Sequence, residues 1–307
     1  MDKKNTSLVS VITINYNHSD VTAACLDSLK NITYPHIEII VVDNASPNED
    51  ASWLKEAYPH IRYIKSEKNL GFAGGNNLGI KHSSGEYVLL LNNDTEVEPG
   101  FLEPLISKCR DNDDAGAVSP KIRYHHTPDM LQYAGFTSIH KLTIRNHAVG
   151  FNQIDKGQFD KDSVTFYAHG AAMLVPRKVI EEVGMMADIF FLYYEELDWG
   201  FRIRQSGKKI YYVHNSLIYH KESVSTGFYS PLQVYYLNRS RILYLRRNTH
   251  GLGYLMALGY LLFVSIPKNY SSFLLRRKLS LLKAYHNAVA WHVKNLFNPR
   301  VHQNPGL

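Results

Sequence analysis

Tyr87-Val88-Leu89-Leu90-Leu91-Asn92-Asn93-Asp94-Thr95 decides the reading of this chain. Five apolar residues in a row suit a strand buried on both faces, and the abrupt change to Asn-Asn-Asp ends it. Two upstream runs share that form. Val9-Ser10-Val11-Ile12-Thr13-Ile14 runs into Asn15-Tyr16-Asn17, and Glu38-Ile39-Ile40-Val41-Val42 into Asp43-Asn44-Ala45-Ser46-Pro47. Between them Asp20 reads as the N-cap of a helix whose Val21, Ala24, Cys25 and Leu29 share one face. A helix around 50–58 leads to a third strand at Arg62-Tyr63-Ile64. Strands alternating with helices of this length predict an α/β fold with a mostly parallel central sheet covered on both faces. In such sheets ligands bind beyond the carboxyl ends of the strands, where these three polar clusters fall.

Further along, 110–165 has no clear period. Order returns at Phe166–Val175, then a helix from Pro176 to Gly184, a helix over Glu195–Gln205 and a strand at Ile210–Val213. From Tyr235 the pattern becomes helices with basic punctuation. Leu252–Ile266 is almost wholly apolar but fifteen residues long, with Pro267 and Lys268 expected to end it. A spanning helix needs roughly 20 apolar residues, so this piece suits an interfacial helix instead.

The chain has 307 residues, 45% hydrophobic and 20% charged, which excludes a disordered chain. Its net charge of +6 is unevenly spread: residues 228–307 hold eleven Lys and Arg and no acid, against 23 bases and 28 acids in 1–227. A mildly acidic body with a purely basic tail predicts chemistry at 1–227 and, at 228–307, a basic helical region on an anionic membrane surface. A helical subdomain or dimer interface with basic solvent faces would also give this pattern. No nucleic-acid partner is expected. Cys25 and Cys109 are too few for a disulfide framework or a Cys-rich zinc site, and Met1–Ser7 shows no signal-peptide core. A cytoplasmic protein, peripherally attached to the inner face of the cell membrane, is expected.

Three clusters could carry chemistry. Asp94, just past a buried strand, can ligate a divalent cation together with phosphate oxygens, or merely cap the next turn. The glycine-rich stretch Asn69-Leu70-Gly71-Phe72-Ala73-Gly74-Gly75-Asn76-Asn77-Leu78-Gly79 can bring backbone amides to a phosphate, or allow close helix packing. Its spacing is neither the dinucleotide fingerprint nor the Walker loop. Tyr193-Tyr194-Glu195-Glu196-Leu197-Asp198-Trp199-Gly200 sets three carboxylates at a helix start among aromatic residues. They either complement the helix dipole or supply a general base.

These segments, in the order 9–17, 40–46, 69–77, 90–95, 194–200 and Ile218-Tyr219-His220, closely resemble family 2 glycosyltransferases over about residues 8–225. These are inverting nucleotide-sugar enzymes of GT-A fold, and the rhamnosyl- and galactofuranosyltransferase branch is most similar. The resemblance implies that Asn15, Tyr16, Asn17, Asp43, Asn69, Gly71, Asn92 and Asn93 bind the donor, a nucleoside-diphosphate sugar. Asp94 and His220 would hold Mg²⁺ or Mn²⁺, with Asn92 replacing the first carboxylate of the family's Asp-x-Asp. Glu196 would be the base, with Glu195 its neighbour, and His169, Gly170, Asp198 and Trp199 would lie on the acceptor side. The implied acceptor is a glycan or lipid-linked glycan of the cell surface, and the implied sugar rhamnose. A sugar nucleotidyltransferase would carry a basic glycine-rich loop after the first strand, where Asn15-Tyr16-Asn17-His18-Ser19 stands. An inactive sugar-binding or scaffold relative would have no need to retain Asp94, Glu196 and His220 together.

Overall fold

The structure, a computed structural model, describes residues 7–221 and 229–307. The expected boundary between body and tail, at 227/228, lies outside the described residues. The chain runs β1 (Val9–Asn15), α1 (Ser19–Leu29), β2 (Ile37–Asp43), α2 (Trp53–Ala57), β3 (Ile61–Lys65), α3 (Gly71–Lys81) and β4 (Tyr87–Leu91). β3, β2, β1 and β4 are adjacent and all parallel, with Ile12 opposite both Ile40 and Leu90. Alternation along these strands splits their side chains between two cores. Val9, Val11, Val41 and Leu89 pack under α1, whereas Ile12, Ile40, Val42 and Leu90 pack under α3. Each such aliphatic side chain, fully buried, contributes on the order of 2 kcal/mol.

The second half is mixed in direction. It continues with β5 (Thr95–Val97), α4 (Leu102–Asp111), β6 (Ala115–Tyr124), β7 (Met130–Tyr133), β8 (Gln153–Ile154), β9 (Ser163–Thr165), β10 (Ala172–Pro176), α5 (Arg177–Val183), α6 (Glu195–Gln205) and β11 (Lys209–His220). β10 enters antiparallel between β4 and β6, β11 runs parallel to β6, and β5 closes the edge antiparallel to β11. The unpatterned 110–165 region therefore holds four strands, one central and three short. Within the expected ordered run 166–175, only Ala172 onward is strand, and β11 extends seven residues beyond Val213.

Two further expectations are corrected. His18, not Asp20, occupies the N-cap of α1, and Glu49 from a distant loop accepts hydrogen bonds from the Ser19 N–H and hydroxyl. The tail continues as α7 (Pro231–Asn248), α8 (Gly251–Tyr260), α9 (Ile266–Leu275) and α10 (Leu279–Lys294). Pro267 does not end the apolar helix. A π-turn at Leu261–Ser265 widens the backbone just ahead of the proline, where the ring would otherwise meet the preceding turn. The result is one 25-residue helix, Gly251–Leu275, long and apolar enough to cross a membrane and mostly exposed.

Candidate active site

Register builds the site. β1, β2 and β4 end together, so Tyr16, Asn44, Asn92 and Asn93 meet at one rim, joined by Asn69 and Gly71. At the other end of the sheet β11 pairs His220 with Thr95 of β5, which sets the imidazole beside Asp94. These groups line a cavity of about 480 Å³. Its remaining walls come from Gln132 and His169, from Phe191–Tyr193, and from Leu232, Gln233 and Tyr236 of α7.

Asp94 and His220 are both buried, with His220 Nε2 3.0 Å from Asp94 Oδ1. Apart from each other, these two atoms have no hydrogen-bond partner. His220 Nδ1 lies 2.8 Å from Gln132 Oε1, which can only accept, so Nδ1 carries a proton and Nε2 is directed at the carboxylate. Burial opposes charge on Asp94, but His220, a backbone hydrogen bond and the Lys221 cation together outweigh it and hold the carboxyl below its usual range. One carboxylate oxygen and one oriented imidazole nitrogen are a donor set that fits Mn²⁺ or Mg²⁺. Among the described residues no third His, Cys, Asp or Glu joins them, so a cation held there would need substrate oxygens or water to complete its shell.

The second feature is the carboxylate pair at the start of α6. Glu195 is buried, its Oε2 lacks a hydrogen-bond partner, and burial followed by the adjacent Glu196 charge pushes its carboxyl well above the usual range. Burial pushes Glu196 up to about 7. Burial and mutual repulsion thus keep the pair from ionising fully until pH rises through neutrality. Glu196 sits beside Gly170: a Cβ added at Gly170 would lie 4.0 Å from Glu196 Cγ. Gly170 follows His169, which stacks on Phe136 and is pulled down to about 3 by burial and by the neighbouring His220.

Several expected site residues are elsewhere. Asp198 is wholly buried and bonded to Arg202, Arg247 and Asn248, tying α6 to α7. Trp199 is also wholly buried, its indole N–H donated to the Gly184 carbonyl. Neither can face an acceptor. Asn15 and Asp43 sit behind the cavity wall: Asn15 donates to Asp43, Ser46 and Glu49 and accepts from Thr22. Asn17 accepts from the Asn48 N–H and shapes that loop. Asn15 and Asn17 thus hold the rim rather than form it, whereas Asp43 keeps one buried oxygen, Oδ2, without a hydrogen-bond partner.

The phosphate-cradle reading of the glycine stretch also yields. The Gly71 N–H is donated to Asn69 Oδ1 and the Phe72 N–H to the Phe191 carbonyl, so both amides are already used. Gly75 and Gly79 allow α3 to lie against Ile14 and Ile12. Gly71 itself has φ +70°, and a Cβ there would collide with the Phe191 carbonyl oxygen. Gly71→Ala should therefore cost about 1–3 kcal/mol of stability, whereas Gly253→Ala, in open space on α8, should be neutral or slightly stabilising. Urea unfolding of both variants checks this; equal midpoints would refute it.

Sequence reasoning missed Gln132 and the α7 residues. Gln132 lies in a four-residue strand with no readable period, and α7 lies beyond the segments that carried the resemblance. A polar residue between Leu131 and Tyr133, and the Tyr235-Tyr236 pair before Arg239, were the available signals.

The family model described as Glycosyl transferase family 2 matches residues 10–184. The low-salt glycan biosynthesis hexosyltransferase Agl10 of Haloferax volcanii is 27% identical over 76% of this chain and 74% of its own. The N-acetylglucosaminyl-diphospho-decaprenol L-rhamnosyltransferase of Mycobacterium tuberculosis is 23% identical over 72% of this chain and 78% of its own. Among solved structures, mannosyltransferase PcManGT from Pyrobaculum calidifontis, in complex with GDP-Man and Mn²⁺, superposes with a TM-score of 0.59 at 16% identity. That superposition covers 96% of this chain and 82% of the other, and it shows a shared fold.

Proposed function

The chain belongs to glycosyl transferase family 2, and we propose that it is an inverting transferase of glycan biosynthesis. It moves a sugar from a nucleoside-diphosphate donor to a hydroxyl of a glycan or lipid-linked glycan acceptor. Rhamnose from a dTDP donor is the first sugar to test, because one relative is named a rhamnosyltransferase. The observation that carries this reading is a cavity lined by the Asp94–His220 pair together with the strand-end residues Tyr16, Asn92 and Asn93, with Glu196 next to Gly170, the residue that follows the lining His169.

In this mechanism Asp94 and His220 would hold a divalent cation, with Gln132 fixing the imidazole. When bound, that ion neutralises charge developing on the nucleoside diphosphate leaving group. Tyr16, Asn69, Asn92 and Asn93 hold the donor in the cavity. Glu196 takes the proton from the attacking acceptor hydroxyl as the sugar–phosphate bond breaks. With one carboxylate acting as base and no nucleophilic intermediate, a single displacement inverts the anomeric centre. A panel of UDP-, dTDP- and GDP-sugars with Mn²⁺ tests the reading through nucleoside diphosphate release and donor calorimetry. Release or binding with one donor supports it; neither with any donor points to an inactive relative.

The same proposal includes peripheral membrane attachment on the cytoplasmic face. The helix Gly251–Leu275 is largely exposed, with Phe263 and Leu275 more than four-fifths accessible, and Arg276, Arg277 and Lys278 follow it. A tail with no acidic residue complements an anionic headgroup layer. Full-length protein should co-sediment with phosphatidylglycerol vesicles at low ionic strength and much less with phosphatidylcholine vesicles. Equal recovery with both lipids would overturn it.

A further inference from the structure

We propose that Arg239, on α7, is a positioning residue for the transfer reaction, bracing the strained segment that presents Glu195 and Glu196. Only the identity of that reaction rests on the function proposed above.

The segment before α6 is held in an unfavourable backbone. Phe191, Tyr193 and Tyr194 have φ of 64°, 65° and 69°, and none is glycine. Each such residue costs roughly 1 kcal/mol or more and persists only where its surroundings over-determine it. Here four successive carbonyls are claimed from outside. Arg239 donates to Ile189 O at 2.8 Å and to Phe190 O, Phe72 N–H to Phe191 O at 2.6 Å, and the Ser240 hydroxyl to Leu192 O at 2.9 Å. The Phe191 ring stacks on Tyr236 of α7 with centroids 4.8 Å apart. Three of the four carbonyls are thus held by adjacent residues of one tail helix.

Arg239 is suited to more than anchoring. Its guanidinium is buried between the Tyr236 and Trp291 rings, 5.0 Å from each centroid. Its Nε has no hydrogen-bond partner, and neither does Glu195 Oε2. Besides burial, Glu195 feels the like charge of Glu196 on its own helix, backbone hydrogen bonds, and Arg239 from α7, which attracts it and opposes the effect of burial. A cation fixed to the segment's backbone therefore governs the placement of the pair and, through its attraction for Glu195, favours the pair's ionised form.

The test compares full-length wild type, Arg239→Ala and Arg239→Lys in steady-state kinetics across pH. For Arg239→Ala we expect kcat to fall about a hundredfold, the scale of a misplaced general base, with donor KM within about threefold. The acidic limb of its kcat profile moves to higher pH. Arg239→Lys keeps the cation but not the planar fork, so it restores the limb while recovering only part of kcat. A wild-type limb in Arg239→Ala, or a loss confined to donor KM, would overturn the proposal. Amide exchange on the same proteins without substrate gives a readout independent of activity. Residues 189–194 should exchange at least about tenfold faster in Arg239→Ala while β1 and β4 stay unchanged. Unchanged protection at 189–194 overturns the proposal even if activity falls. A wild type that turns over no nucleotide-sugar refutes the transferase reading instead, and the exchange result still decides the brace.

Discussion

Glu196→Gln should lower kcat by about two to four orders of magnitude while leaving donor KM within about threefold, because a general base acts only in the transition state. Burial holds this carboxyl up at about 7, so the base becomes competent as pH rises through neutrality. Wild-type kcat should climb over that range, and the variant's residual activity should lose that limb. The same shift has an opposite consequence for folding. A carboxyl raised from 4.5 to about 7 favours the folded state at acidic pH, and that contribution is lost as pH rises through about 7. The difference corresponds to roughly 3 kcal/mol. Glu196→Gln should therefore melt at a higher temperature than wild type at pH 8 and show less advantage at pH 5. A variant with near wild-type kcat would remove Glu196 from the chemistry, and Glu195→Gln would then be the substitution to measure.

Asp94→Ala carries the second large expectation: a loss of about a thousandfold in kcat/KM, equivalent to several kcal/mol of leaving-group stabilisation. The basis is the paired Asp94 Oδ1 and His220 Nε2, which have no other partner, and the Gln132 contact that orients the ring. Mn²⁺ titration by calorimetry in the presence of nucleoside diphosphate gives the readout apart from turnover. Asp94→Ala and His220→Ala should abolish saturable binding. Gln132→Ala, which frees the imidazole without removing a ligand, should weaken it by about 10–100-fold. Undiminished Mn²⁺ affinity in Asp94→Ala would place the ion elsewhere.

Much of this was readable in one dimension because the relevant physics is local. A short unbroken apolar run such as Tyr87–Leu91, stopped abruptly by Asn-Asn-Asp, suits a strand shielded on both faces, and the polar residues after it then lie at its carboxyl end. Hence the parallel half of the sheet, and Tyr16, Asn92, Asn93 and Asp94 at its rim, followed from pattern alone. The start of α6 at Glu195 was equally legible, since three acids in the first turn suit the helix dipole.

What needed the tertiary structure was every decision between two uses of the same residue type. Asp198 and Asp94 are both buried acids, but one is neutralised by Arg202 and Arg247 and the other faces an imidazole in a cavity wall. Asn15 and Asn92 both end strands, yet Asn15 spends its hydrogen bonds behind the wall while Asn92 lines the cavity. Pro267 reads as a stop signal until the π-turn before it absorbs the strain. Arg239 reads as one basic residue among eleven in the tail until it is seen holding two carbonyls some fifty positions earlier in the chain. Periodicity and capping are set by neighbours in sequence, so the chain alone determined the α/β frame and the rim of its site. Whether a polar group binds substrate or structure depends on which distant partner has already satisfied it, and only folding brings those partners together.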